Sequence, residues 1–392
     1  MDETDRRLAA RTDDLSYSAI RQMFERAGTL EEQGRNPVHL EIGEPDFGTP
    51  ERVVTAAMDA ASAGATDYTS TAGIPELREA IADRPGGTGE FDPETEIAVT
   101  TGGMEALYAV FQAVVDPGEE VVVPTPAWPN YLTQVRLAGG RPVEVPLPPQ
   151  EGFDLAPDRV VEAIGDDTAA VVFSSPSNPT GRVYAPEDVR AVLEAAAAHN
   201  CFVVADEVYD SLVYCDRPAG IPGYTGHEGY LLTVNSCSKR YAMTGWRLGW
   251  LAGPADIVDA TNKIRGVVTA SPSSVSQHAA LAALTGPQDR AAEMAAAFEE
   301  RRDYVVDRLA AIPGVSAPPP EGAMYAFVDV SGLPGTSVEI AERLLEEYGV
   351  VTAPGDGFGA AGEGYLRLSF ANSRERIERG LDRFERMVRE EL

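Results

Sequence analysis

The stretch Ser236-Cys237-Ser238-Lys239-Arg240-Tyr241-Ala242-Met243-Thr244-Gly245-Trp246-Arg247 decides how this chain is read. It holds Lys239, one of only two lysines in 392 residues; the other is Lys263, and the remaining side-chain cations are arginines apart from four histidines. Small hydroxyl residues precede Lys239, an arginine follows eight residues later, and the apolar run Leu248-Gly249-Trp250-Leu251-Ala252-Gly253 lies behind. A guanidinium stays protonated and cannot attack a carbonyl, whereas a partly desolvated amine can. Lys239 is therefore the candidate for a Schiff base, set against the plainer reading of a helix-end lysine on a solvated face.

Around this stretch, from about residue 95 to 275, short β-branched runs alternate with helix-like segments. Strands are expected at 97–100, 120–123 and 169–173, with a helix over 105–115. Apolar rather than alternating strands in βαβ order predict an α/β fold with a mostly parallel sheet covered on both faces. Ligands in such sheets sit at the carboxyl ends of the strands. The last third changes character, with a long polar helix (288–312), a proline break at 318–320, strands at 324–330 and 365–370, and a closing helix from Ser373. It reads as a smaller α+β domain.

The formal charge of −30, with a pI near 4.4, argues against a nucleic-acid partner, since a phosphate backbone requires clustered Lys and Arg. Together with the scarcity of lysine it suggests adaptation to high salt, where self-repulsion is screened. No run approaches the ~18 apolar residues of a membrane helix, and Met1-Asp2-Glu3-Thr4-Asp5-Arg6-Arg7 lacks the apolar core of a signal peptide. A cytoplasmic location is expected. Cys201, Cys215 and Cys237 have no CxxC spacing and the four histidines are scattered, so neither a metal site nor a disulfide framework is expected.

Further motifs carry chemistry. Gly43, in the turn-rich Ile42-Gly43-Glu44-Pro45-Asp46-Phe47-Gly48-Thr49-Pro50, lets backbone approach a ligand or merely makes a turn. Thr101-Gly102-Gly103-Met104-Glu105-Ala106 is a glycine turn feeding a helix N-terminus, a cup for phosphate. It has neither the dinucleotide fingerprint nor the P-loop lysine, which disfavours NAD and ATP. Trp128 offers a plane for stacking, or fills a core. Asn178 lies in the turn Ser175-Pro176-Ser177-Asn178-Pro179-Thr180-Gly181 after a strand. Asp206 ends the apolar run Val203-Val204-Ala205, where burial is costly unless a cation such as a pyridinium pairs with it; a structural cap is the other reading. Arg367, inside Tyr365-Leu366-Arg367-Leu368-Ser369-Phe370, suits bidentate binding of a carboxylate or a surface salt bridge. Tyr68 taken alone reads as half-buried packing.

Ser236-x-Ser238-Lys239 followed by Arg247, with these motifs in this order, resembles the class I/II pyridoxal-phosphate aminotransferases of fold type I, the aspartate aminotransferase-like superfamily, from about Ser18 to the C-terminus. The resemblance implies a large cofactor-binding domain over 46–285, its mostly parallel sheet of the seven-stranded type sandwiched by helices. A small domain spans 286–392, and the segment 1–45 packs with it. Lys239 would carry the Schiff base to pyridoxal 5'-phosphate, with Gly102, Gly103, Met104, Ser236, Ser238 and Arg247 around the cofactor. Trp128 would stack on its ring, Asp206 pair with the ring nitrogen, and Asn178 and Tyr209 bond the phenolic oxygen. In a homodimer, Tyr68 would reach the partner's cofactor phosphate.

Catalytic roles would fall on Lys239, Asp206 and Tyr209. Gly43, Asn178, Arg367, Ser18 and Ile20 would face the substrate, Arg367 holding its α-carboxylate. Where members that take acidic substrates often carry a lysine, this chain has Met104. An aminotransferase moving an amino group from a neutral aliphatic or aromatic L-amino acid to a 2-oxo acid is therefore expected. The alternatives on the same scaffold are a β C–S lyase and an aspartate aminotransferase; a non-catalytic regulator is disfavoured by the intact lysine.

Overall fold

Runs such as Val121-Val122-Val123 and Val203-Val204-Ala205 put apolar groups on both faces of a strand, so a sheet made from them must be covered on both sides. The computed structural model describes residues 8–12, 15, 17–84, 91–217 and 227–391; residues 1–7 and Ser16, which bear on the expectations for the N-terminus, lie outside them. Among the described residues the strands are β1 (Val38–His39), β2 (Ile97–Thr100), β3 (Glu120–Thr125), β4 (Arg141–Pro146), β5 (Thr168–Ser174), β6 (Phe202–Asp206), β7 (Leu231–Ser236), β8 (Gly249–Ala252), β9 (Tyr325–Asp329), β10 (Val350–Val351), β11 (Ala353–Pro354) and β12 (Tyr365–Ser369). Seven of them form one sheet in the order β2-β8-β7-β6-β5-β3-β4. Only β8 runs antiparallel to its neighbours.

Strand alternation sends Val121, Val123, Val172 and Val234 to one face, packed with Ala106, Leu107 and Phe111 of the helix Gly103–Val114. Val122, Val171, Val203 and Trp250 point to the other, against Leu77 and Ile81, Val192 and Leu193, and Ala279 and Ala283 from three further helices. A third core gathers around the antiparallel sheet β11-β12-β9, with Leu366 and Leu368 meeting Ile340, Leu344, Leu381 and Phe384. The N-terminal segment joins that core, since β1 pairs in parallel with β10 and the helix Ala19–Glu32 buries Met23 and Ala27 there.

The expected elements form with shifted ends. The helix expected from 105 begins at Gly103, because Gly102 turns the chain at φ +80° and feeds it directly. The strand expected to stop at 173 extends to Ser174. The long helix is Asp289–Ala310 and the last one Arg374–Glu391, where Ser373 Oγ accepts from the Arg376 amide at 3.3 Å. No helix among the described residues is long and apolar enough to cross a membrane.

Candidate active site

Parallel strands all end on one side of the sheet, and there β5, β6 and β7 deliver Ser174, Asp206 and Ser236. With the glycine turn after β2 and the short helix Cys237–Arg240, they line a cavity of about 310 Å³, within the range of small-molecule sites. Lys239 projects into it and donates from Nζ to the backbone oxygen of Gly43 at 2.5 Å. Enclosure pushes the amine down to about 8; Arg367 and Arg247 act in the same direction, against Glu44 and Asp206. Lys263, by contrast, is exposed in an ion pair with Asp259 at 2.6 Å.

Asp206 is 5% exposed. Its Oδ2 accepts from Tyr131 Oη at 2.7 Å and its Oδ1 from the Val208 amide at 3.2 Å. Burial nevertheless pushes the carboxyl up to about 6. A carboxylate so placed lacks a countercharge in contact, and a protonated ring nitrogen supplies one.

Arg367, on β12 and 2% exposed, makes the opposite demand. It donates to Asn178 Oδ1 at 2.9 Å and to the Glu41 backbone oxygen, its Nε has no partner, and the rings of Tyr325 and Phe358 lie 4.2 and 5.1 Å from its carbon. Burial lowers its proton affinity. A buried guanidinium whose hydrogen bonds go to neutral oxygens fits an incoming carboxylate.

An anion cradle stands beside the lysine. The helix Gly103–Val114 has no side-chain cap, and its first two residues, Gly103 and Met104, line the cavity. A Cβ at Gly102 would meet Arg247 Nη2 at 2.8 Å. Arg247 is held there in a left-handed conformation (φ 53°), donating from Nη1 to the Thr244 oxygen at 2.8 Å. Ser236 and Ser238 complete the wall. These features fit a phosphate, and with Asp206 and Lys239 they fit pyridoxal phosphate as a whole.

Trp128 reaches the cavity, edge-on to Tyr131 with ring centroids 5.5 Å apart, and so do Ile20 and Tyr209. Three expected residues do not line it, the first being Gly102, which stands behind the Arg247 guanidinium rather than on the cavity wall. Ser18 instead caps the helix Ala19–Glu32, its Oγ accepting from the Arg21 amide at 3.3 Å, a use for which a serine before a helix is well suited. Tyr68 is 89% exposed and away from its own chain's cavity.

The sequence profile of the family described as aminotransferase class I and II matches residues 35–384. The chain belongs to the class I and II aminotransferases. It is 38% identical over 390 residues to an aspartate aminotransferase of Geobacillus stearothermophilus, covering 97% of this chain and 99% of that one. It is 43% identical over 385 residues to a probable aspartate/prephenate aminotransferase of Thermus aquaticus, covering 97% and 98%. Among solved structures, the aspartate aminotransferase from Thermus thermophilus with maleate superposes with a TM-score of 0.92 at 41% identity, covering 97% of this chain and 99% of that one. This aminotransferase is accordingly a pyridoxal-phosphate-dependent transaminase acting on small molecules.

Sequence reasoning missed several residues of the aminotransferase cavity, among them Leu107, Tyr131, Ser174, Val208, Thr244 and Tyr325. Two had a signal. Tyr131 follows Trp128 by three residues, across the turn in which its amide donates to the Trp128 oxygen at 3.1 Å, and Ser174 is the last residue of an apolar strand that ends at the ligand side.

Proposed function

We propose that this aminotransferase takes a neutral aliphatic or aromatic L-amino acid as donor and passes its amino group to a 2-oxo acid. The observation that carries the donor is the count of cations on the cavity wall. Lys239, Arg247 and Arg367 line it, and all three are engaged: Lys239 as the reacting amine, Arg247 with the phosphate and Arg367 with the α-carboxylate. Met104 occupies the outer wall instead of a fourth cation, its sulfur accepting from Gln134 Nε2 at 3.1 Å. Ile20 and Leu107 add apolar surface. A second carboxylate enclosed there would lack a partner.

In this reading Arg367 and Asn178 fix the substrate carboxylate, which leaves the Cα–H bond facing Lys239. Bound pyridoxal phosphate supplies a carbonyl for amine exchange and a ring that takes up an electron pair. With the group bound, Lys239 would be the amine that the substrate amine displaces, and its Nζ would then carry the proton from the substrate Cα to the carbon that the amine had held. An amine near 8 is poised for that transfer at neutral pH. Asp206 keeps the ring nitrogen protonated, and Tyr209 directs its hydroxyl at the phenolic oxygen.

We also take the enzyme to be a cytoplasmic homodimer in which Tyr68 serves the partner's phosphate site, as its 89% exposure supports. The division into a large domain (46–285) and a small one (286–392) joined by segment 1–45 is supported by the β1–β10 pairing.

The names of the relatives favour a second reading, aspartate as donor, which needs a cation from outside this chain's own cavity wall. The comparison of kcat/KM for aspartate, alanine, leucine, phenylalanine and tyrosine decides between them. A neutral donor should lead, and aspartate ahead by about tenfold or more overturns the proposal.

A further inference from the structure

The hydroxyl of Tyr325 has no part in the roles above, yet it stands where the two ends of the cavity meet. Tyr325 opens β9, is 2% exposed, and its Oη lies 2.8 Å from Tyr209 Oη, the two rings edge-on with centroids 5.7 Å apart. The Arg367 guanidinium carbon sits 4.2 Å from the centroid of the Tyr325 ring. On its other side the hydroxyl presses on Gly43, where an added Cβ would come within 1.8 Å of it. The oxygen of that same glycine accepts from Lys239.

A cation on the face of a phenol draws electron density from the ring and makes the hydroxyl the better donor. Either hydroxyl can donate in this pair, and the nearer cation lies on the Tyr325 ring, with Lys239 Nζ 5.9 Å from the Tyr209 centroid; with Tyr325 O–H donating to Tyr209 Oη, the proton of Tyr209 is left to point into the cavity. The charged groups facing this pair are Arg367 from β12, Asp206 from β6 and Lys239 from the helix Cys237–Arg240, while Glu41 from the segment after β1 acts on Arg367.

We propose that Tyr325 is a positioning residue that orients the Tyr209 hydroxyl and strengthens it as a donor, in proportion to the charge on Arg367, so that a carboxylate bound at Arg367 is felt at Tyr209. The inference rests on the reading in which Arg367 holds the substrate carboxylate and Tyr209 bonds the cofactor's phenolic oxygen. No residue of the pair changes its bonding partner; only the polarity of two hydrogen bonds in series shifts.

The test uses cofactor-loaded wild type, Tyr325→Phe, Tyr209→Phe and the double variant. Visible absorption is titrated against pH, alone and with saturating 3-phenylpropionate or succinate, two carboxylates that carry no amine. Tyr325→Phe keeps the ring, thermal unfolding checks that it folds, and Tyr209→Phe reads the same bond from its other end. In Tyr325→Phe the lysine–cofactor link should hold its proton about threefold to tenfold more tightly, the worth of one hydrogen bond. The displacement caused by a carboxylate should be smaller than in wild type, and the double variant should match Tyr209→Phe.

An unchanged midpoint in Tyr325→Phe, additive effects in the double variant, or a full-size carboxylate displacement without the Tyr325 hydroxyl would each overturn the proposal. Carboxylates that bind wild type and displace nothing would overturn the coupling. If neither carboxylate binds while the midpoints stay displaced and non-additive, the role of Arg367 fails and the action of Tyr325 on Tyr209 stands.

Discussion

Lys239 is an amine held in a place that resists its charge, and its expected behaviour follows from that. Below about pH 8, where its proton affinity is set, the free base falls about tenfold for each pH unit. Uptake of cofactor by the apo-protein should slow accordingly between about pH 8 and pH 6, and a flat profile in stopped-flow absorbance would contradict the assignment. Lys239→Ala should give no borohydride-fixed cofactor, while Lys263→Arg, altering an exposed pair with Asp259, should leave turnover unchanged. Asp206→Asn should still bind cofactor but transaminate at least about a hundredfold more slowly, the scale of one lost electrostatic contact at a reacting centre; near-normal single-turnover rates would make that carboxylate structural. Asp206 and Arg367 were legible because each is a charge among apolar strand residues, which chemistry must explain, and Lys239 because lysine is almost absent elsewhere. Tyr325 was not: the run that holds it is buried on both faces, so alternation gives no hint of which residue meets the ligand.

At the scale of elements, the glycine turn and the helix it starts act as one unit. Gly102 combines φ +80° with a Cβ position 2.8 Å from Arg247, so Gly102→Ala should strain the turn and displace the guanidinium. Cofactor affinity should drop by about tenfold or more in equilibrium dialysis; an unchanged affinity would detach the turn from phosphate binding. A useful contrast is the helix Ser337–Tyr348 of the third core, whose capping box joins Thr336 and Glu339. Thr336→Ala should lower stability by about 1 kcal/mol in denaturant titration and leave kcat/KM alone. Strands β2, β3, β5 and β6 were readable from unbroken apolar runs, whereas β4, whose Arg141-Pro142-Val143-Glu144-Val145-Pro146 is largely open to solvent, was not. The pairing of β1 with β10 was not, because two residues carry no period and their partners lie some three hundred positions away.

For the whole molecule, a net charge of −30 sets the solution behaviour. Screening of that self-repulsion should raise the melting temperature as KCl increases from about 0.1 M to 2 M, and a protein indifferent to salt would remove the case for halophilic adaptation. The ribbon between β1 and the Gly43 turn ties the halves together through main-chain oxygens. His39 O accepts from Asn372 Nδ2 at 2.8 Å, Leu40 O from the Ser369 amide at 2.6 Å, Glu41 O from Arg367, and Gly43 O from Lys239 at 2.5 Å. Every amino acid carries the same main-chain oxygen, so the ribbon works as a ruler whose graduations are residues and whose spelling matters less than its count. Inserting or deleting one residue would slide the scale by about 3.3 Å, enough to unseat either the amine or the guanidinium.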